Sequence, residues 1–292
     1  MRRRFATLDV FTDRRFAGNP LAVVLQADGL DDAAMQAIAR EFNHPETVFV
    51  FAPADARHRA RVRIFTPVQE LPFAGHPTVG TAVLFALRDR AAAGSDLVLE
   101  ESLGAVRCTV ESVNSAGGAA RFAIPKLPYE VGPAADTAAI AAALSLGLSD
   151  IEGRPARGSA GIPFTFVALR SLDAMARCRP DAMKFDSAFP DRAAYVFCSE
   201  TAEPGHHVHA RMFAPGLGVP EDPATGSAAA ALAGLLASRL GDGEHRVVIE
   251  QGYEMGRPSV IRLAFVVPAG EGLRSVSIGG DAVVVTEGTI EA

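Results

Sequence analysis

Hydrophobic positions fall in two rhythms along this chain. Ala6–Phe11 and Leu21–Leu25 are short apolar runs separated by Arg15-Phe16-Ala17-Gly18-Asn19-Pro20, a turn signal, and so predict two strands joined by a loop. From Asp31 to Glu41 the period lengthens, with Met35, Ile38, Ala39 and Phe42 at helical spacing and Asp31 or Asp32 available as a cap. Thr47–Phe51 and Arg61–Phe65 return to strand patterning, the second alternating charged and apolar residues. After Gly75-His76-Pro77, the run from Thr78 to Arg90 is apolar around nearly its whole circumference, which predicts a helix enclosed by protein. Strands at Leu97–Glu101 and Val106–Val113 complete this half.

The second half repeats the order. Gly18–Leu25 is echoed by Gly161–Ala168, the helix at Asp31 by Leu172–Arg177, and Thr47–Phe51 by Ala193–Phe197. Arg63-Ile64-Phe65-Thr66-Pro67 is echoed by Arg211-Met212-Phe213-Ala214-Pro215, and His76-Pro77-Thr78-Val79-Gly80-Thr81-Ala82 by Asp222-Pro223-Ala224-Thr225-Gly226-Ser227-Ala228. Agreement in order, spacing and composition predicts an internal duplication. Asn, Ser and Gly cluster at Asn114–Ala120, so the predicted boundary lies there: one domain at 1–116, completed by 286–292, and a second at 117–285. In the second half, Ala134–Leu146 reads as a surface helix and Gly153–Gly161 as a loop; Val247–Glu250, Ser259–Val267, Arg274–Ile278 and Ala282–Val285 read as strands. The predicted class is α+β, two similar units, each a sheet wrapped around one apolar helix.

Composition narrows the function classes. Hydrophobic residues at 49% and charged residues at 21% of 292 are those of a globular chain. With 28 Lys and Arg against 34 Asp and Glu, the net charge of −6 offers no overall basic face, so nucleic acid is not an expected partner. The three cysteines, Cys108, Cys178 and Cys198, are dispersed and odd in number, which points to a reducing compartment rather than a disulfide framework. Asp9, Asp13 and Arg14 interrupt any signal-like apolar run, and no stretch is long enough to span a bilayer; a soluble cytoplasmic protein without a membrane partner is expected.

Three polar residues stand out. Asp222-Pro223 has the form of a helix start, Asp as the cap and Pro at the first helical position, and His76-Pro77 occupies the matching place in the first half. Each could be only a cap or a loop residue. Together they predict two buried helix starts whose free N–H groups suit a carboxylate-bearing ligand. Glu46 lies in Asn43-His44-Pro45-Glu46, at the mouth of the next strand, where it is either a turn residue or a partly buried carboxylate able to accept and return a proton.

GNPLAVV, REFNHPETVFV, RIFTPVQELPFAGHPTVGTA and EDPATGSAAAALA resemble the PhzF family of phenazine-biosynthesis isomerases, whose fold is that of diaminopimelate epimerase; the likeness runs from about Ala6 to Ile290. The resemblance implies two pseudo-symmetric halves with the active site between them, a homodimer, and isomerisation without a cofactor or metal of a small carboxylic acid such as a dihydro-3-hydroxyanthranilate-like substrate. It puts the general acid/base at Glu46, further catalytic groups at His76 and Asp222, and substrate-binding positions at Gly75, Gly226 and Ser227. Many relatives have serine where this chain has Pro45, which removes one hydrogen bond near the substrate. Two alternatives stay open: a carboxylate-binding protein that has lost the reaction, and a two-thiol racemase or epimerase, although no cysteine is near either helix start.

His206-His207-x-His209 lacks an evident third metal ligand and reads as an exposed polar turn. Gly216-x-Gly218 and Gly279-Gly280 lack the spacing and setting of a dinucleotide loop.

Overall fold

The computed structural model describes all 292 residues, which form two compact units, Met1–Ala123 with Gly279–Ala292, and Ile124–Ile278. The first unit contains β1 (Arg2–Val10), β2 (Asn19–Val24), α1 (Asp32–Phe42), β3 (Glu46–Phe51), β4 (Ala60–Phe65), β5 (Glu70–Leu71), α2 (Gly75–Asp89), β6 (Asp96–Glu101), β7 (Gly104–Val113) and β8 (Gly117–Ala123). The second contains β9 (Tyr129–Pro133), α3 (Thr137–Ala143), β10 (Ala156–Ser159), β11 (Pro163–Ala168), α4 (Leu172–Arg177), α5 (Phe185–Ala188), β12 (Ala194–Cys198), β13 (Val208–Ala214), β14 (Val219–Asp222), α6 (Gly226–Leu240), β15 (Gly243–Gln251) and β16 (Ser259–Val267). The last strand, β17 (Ser275–Glu291), contributes its larger part to the first unit.

In the first unit the sheet closes on itself. β1 pairs with β2, β2 with β3 in parallel, β3 with β4, β4 with β6 in parallel, β6 with β7 and β7 with β8; β17 then pairs with both β8 and β1. Closure leaves no unpaired edge. Inside runs α2, contacted by β1, β2, β3, β6, β7 and β8, with every residue from Gly75 to Ala86 buried. Burying Val79, Val83, Leu84 and Phe85 contributes roughly 1.5–3 kcal/mol each. At Gly80 a Cβ would lie 2.6 Å from Leu21 and 2.7 Å from Val10, so glycine is what lets the helix approach β1 and β2 this closely. On the outer face, Met35 and Ala39 of α1 pack with Val24, Phe49 and Phe65.

The second unit has the same pairing sequence. β10 and β11 are antiparallel, β11 and β12 parallel, β12 and β13 antiparallel, β13 and β15 parallel, and β15 and β16 antiparallel. Here α6 contacts β9, β10, β11 and β16, with Gly226, Ala228–Ala233 and Leu236 buried; its small side chains let the strands pack close. Helices α3, α4 and α5 cover the other face through Ile140, Met175, Phe185 and Phe189.

The fold departs from the sequence reading at several places. Asn114–Ala120 is not a linker: Asn114 Oδ1 accepts from the N–H groups of Ala116 and Gly117, making the hairpin turn between β7 and β8, so the unit boundary falls at Ala123. Gly153–Gly161 contains a strand, β10, and the two strands expected at 274–285 are one, β17. The Ala134–Leu146 helix is shorter, because Asp136 caps it by accepting from Ala138 and Ala139 N–H.

Asp222-Pro223 is not a helix start. α6 begins at Gly226 behind Thr225, and Asp222 is the last residue of β14. Arginine pairs fix the register. Arg63 makes a two-pronged bond to Glu70 on β5 at 2.8 and 2.5 Å, and Arg211 makes the same bond to Glu221 on β14 at 2.8 and 2.9 Å. Ile64 is then opposite Leu71, and Met212 opposite Asp222, with each helix opening four residues later. By this register Glu221-Asp222-Pro223 matches Glu70-Leu71-Pro72, and Ser227 matches His76. The sequence echo between His76-Pro77 and Asp222-Pro223 is therefore out of step by five residues.

Candidate active site

The geometry in the first unit centres on Glu46 and His76. α1 stops at Asn43, which takes the left-handed conformation (φ 51°), and the chain bends through His44 and Pro45 into β3, so Glu46 stands at the strand's first position. His76 is the second residue of α2, and its ring is almost wholly buried. Burial pushes its pKa down to about 3, with the Pro20 carbonyl, hydrogen-bonded to the ring, and His44 as smaller opposing and reinforcing influences. The imidazole is neutral at neutral pH. Pro20 follows Gly18 and Asn19, so the GNP turn at the entry to β2 sets the ring's orientation.

His76 Nε2 lies 3.1 Å from Glu46 Oε2. With its one N–H turned to Pro20, the neutral ring offers Nε2 as an acceptor, and a carboxylate oxygen is an acceptor too. The 3.1 Å contact is not aligned as a hydrogen bond, so it sets an imidazole acceptor beside the carboxyl group without a proton fixed between them. The neighbour of the Glu46 carboxyl group is thus a neutral imidazole rather than a cation.

The second unit places Asp222, Gly226 and Ser227 around a buried amide. Asp222 Oδ2 accepts from the Thr225 hydroxyl at 2.6 Å. Gln251, wholly buried, donates to the Asp222 carbonyl at 2.8 Å and to Thr225 Oγ1 at 3.0 Å; its oxygen accepts from Thr225 N–H at 3.2 Å and from Tyr195 O–H at 3.3 Å. All four of its bonding positions are used, which fixes the amide's orientation. Burial and then Asp222 push the Tyr195 phenol up, so it stays a donor. Gly252 beside it, at φ 79°, has no room for a Cβ, which would lie 2.6 Å from the Pro223 carbonyl. Sequence reasoning missed Gln251, Tyr195 and Thr225. No local signal marks Gln251, because its partners are 26 to 56 residues away.

Gly75 and Gly226 are the first residues of their helices, and neither cap, Ala74 or Thr225, donates or accepts through its side chain to the first turn. The opening N–H groups of an α-helix have no partner within it, so such starts suit an anion.

Other candidates resolve differently. His209 is buried, not in an exposed turn: its Nδ1 is 2.6 Å from Glu250 and its Nε2 2.9 Å from Glu254, while His206 Nδ1 is 2.6 Å from the other oxygen of Glu250. Burial disfavours charge on His209, but the two carboxylates outweigh it and raise its pKa. Both of its nitrogens are engaged, leaving no lone pair for a metal. The three thiols are buried; burial pushes Cys178 and Cys198 up to about 12 and Cys108 higher still, so none is a ready thiolate. No helix is long and apolar enough to cross a membrane.

Comparison with known proteins identifies the family. The family model described as phenazine biosynthesis-like protein, PhzC-PhzF, matches residues 8–288. The chain is 46% identical to an uncharacterized isomerase of Mesorhizobium japonicum, with 99% of this chain and 98% of that protein aligned. It is 38% identical to trans-2,3-dihydro-3-hydroxyanthranilate isomerase of Pseudomonas fluorescens, with 98% of each covered. The crystal structure of a Bacillus anthracis phenazine biosynthesis protein of the PhzF family superimposes with a TM-score of 0.89 at 28% identity, covering all of both chains.

Proposed function

Because the chain belongs to the PhzC-PhzF family of phenazine biosynthesis-like proteins, with curated relatives named isomerases, we propose that it is a cofactor-independent isomerase moving a proton within a small carboxylic acid. Glu46 is the general acid/base. The observation that carries this reading is the 3.1 Å contact between Glu46 Oε2 and His76 Nε2, in which a neutral imidazole faces the carboxyl group. A carboxyl group so placed can take a proton from an acidified C–H and return it to another carbon, with the His76 Nε2 lone pair close enough to receive a hydrogen bond if the protonated carboxyl group turns toward it.

His76 and Asp222 are proposed as further catalytic groups, and Gly75, Gly226 and Ser227 as substrate-binding positions. The uncapped helix starts support the binding role, since their N–H groups suit a substrate carboxylate. The fold is of the diaminopimelate epimerase type, two pseudo-symmetric units each built as a curled sheet around a helix; the shared pairing order and the matching arginine pairs support it. The protein is proposed to work in the cytoplasm as a homodimer, on a small carboxylate rather than on nucleic acid or membrane.

The substrate to try first is trans-2,3-dihydro-3-hydroxyanthranilate, by likeness to the Pseudomonas relative. Conversion in deuterium oxide, followed by solvent deuterium entering the product carbon, is the expected result, and Glu46→Gln should slow it by roughly 10²-fold or more. Full turnover in that variant overturns the role of Glu46. Tight binding of small carboxylates without any exchange would favour a binding protein that has lost the reaction.

A further inference from the structure

One buried carboxyl group takes no part in the reading above. Glu101 ends β6 and is 7% exposed, and its Oε2 has no hydrogen-bond partner. Its Oε1 is 2.7 Å from the Thr78 hydroxyl, and that hydroxyl is also 2.7 Å from the carbonyl of Ala74, the residue preceding α2. A hydroxyl has one proton. The Ala74 carbonyl only accepts, and an ionised Glu101 would also only accept, so an ionised carboxylate would leave one of these two contacts without a hydrogen. A protonated Glu101 satisfies both: its O–H donates to Thr78, and Thr78 donates to Ala74.

We infer that Glu101 is a positioning residue for the start of α2, held as a neutral carboxylic acid whose O–H fixes the Thr78 proton on the Ala74 carbonyl. Loss of the Glu101 proton turns the Thr78 hydroxyl toward the carboxylate. The Ala74 carbonyl is then left with only the 3.3 Å bond from Thr78 N–H, and the turn bearing Gly75 and His76 loosens. The surroundings agree. Burial raises the Glu101 pKa to about 8, with the Thr78 bond opposing in part. The titratable group of β7 within electrostatic reach is the Cys108 thiol, which burial keeps protonated and uncharged; from β4 the buried residues Ala60, Val62 and Ile64 bring no charge. The inference rests on the reading of His76 as a site residue only for its functional meaning.

Two signals test it without turnover, so the outcome is independent of whether the proposed substrate is right. The first is the carbonyl stretch of a protonated carboxylic acid in the infrared, wild type minus Glu101→Gln; the second is the ring ¹⁵N resonance of His76, assigned by its loss in His76→Gln. His76 itself titrates near 3, so any movement around pH 8 reports a neighbour. Between about pH 6 and about pH 9 the acid band should disappear and the His76 resonance should shift with the same midpoint. Glu101→Gln, whose amide can still donate to Thr78, should show neither change. Thr78→Ser should keep the step and Thr78→Val should abolish the His76 shift, which preserves the test if Glu101→Gln folds poorly. A missing acid band at about pH 6 overturns the protonation state, and a band that titrates while His76 stays still overturns the positioning role.

Discussion

Nε2 of His76 faces Oε2 of Glu46 across 3.1 Å, from a ring that burial keeps neutral. The arrangement couples chemistry to stability. Folding lowers the His76 pKa from 6.5 to about 3, so below the unfolded value the unfolded chain binds a proton that the folded chain refuses. The contribution is fully present above pH 6.5 and is lost as pH falls toward 3, at about 1.4 kcal/mol per pH unit. Urea unfolding between about pH 4 and about pH 7 should show a shallower acid dependence in His76→Gln than in wild type. Equal slopes would mean that His76 is already charged in the folded protein.

Gln251 ties Asp222, Thr225 and Tyr195 together, so Gln251→Leu should do far more than remove one bond. Each polar group left buried without a partner costs about 1–3 kcal/mol, against about 0.5–1.5 kcal/mol for the single bond lost in Tyr195→Phe. Chemical denaturation of the two variants checks the ranking. If Tyr195→Phe is as damaging as Gln251→Leu, the amide does not hold this turn.

Gly80 sets the spacing of α2 from β1 and β2. Gly80→Ala should improve intrinsic helix propensity by roughly 1 kcal/mol and still destabilise the protein, because the methyl group meets Leu21 and Val10 and overpacking costs about 1–3 kcal/mol. A thermal unfolding midpoint at or above that of wild type would show that the barrel yields at this position.

Thiol reagents separate the proposed acid/base reaction from a two-thiol racemase. Cys108, Cys178 and Cys198 are buried and protonated, so iodoacetamide should label them only at the rate of unfolding, and deuterium exchange into the substrate should survive the treatment. Rapid loss of exchange on labelling of one native thiol would restore the thiol mechanism.

Much of the architecture was legible in the chain because the information is local. The period of Met35, Ile38 and Ala39 set α1, the all-round apolar run after Gly75 marked α2 as enclosed, and Asp31 caps α1 through Ala34 N–H. Glu46 and His76 could be named from their motifs, each beside a proline at an element's start. Their pairing could not, because 30 residues separate them and only the packing of α2 against β3 puts Nε2 beside Oε2. For the same reason, Asp222 departs from the helix cap that its sequence predicts. Asp-Pro has the local form of a cap, but the Arg211 bond to Glu221 holds these residues in a strand, and the Thr225 hydroxyl and buried Gln251 then engage the aspartate's side chain and carbonyl. Local propensity fixes which residues turn, pair or coil; which polar atoms meet in the interior depends on the closure of the sheet, which brings distant strands into contact and excludes the water that would otherwise satisfy them.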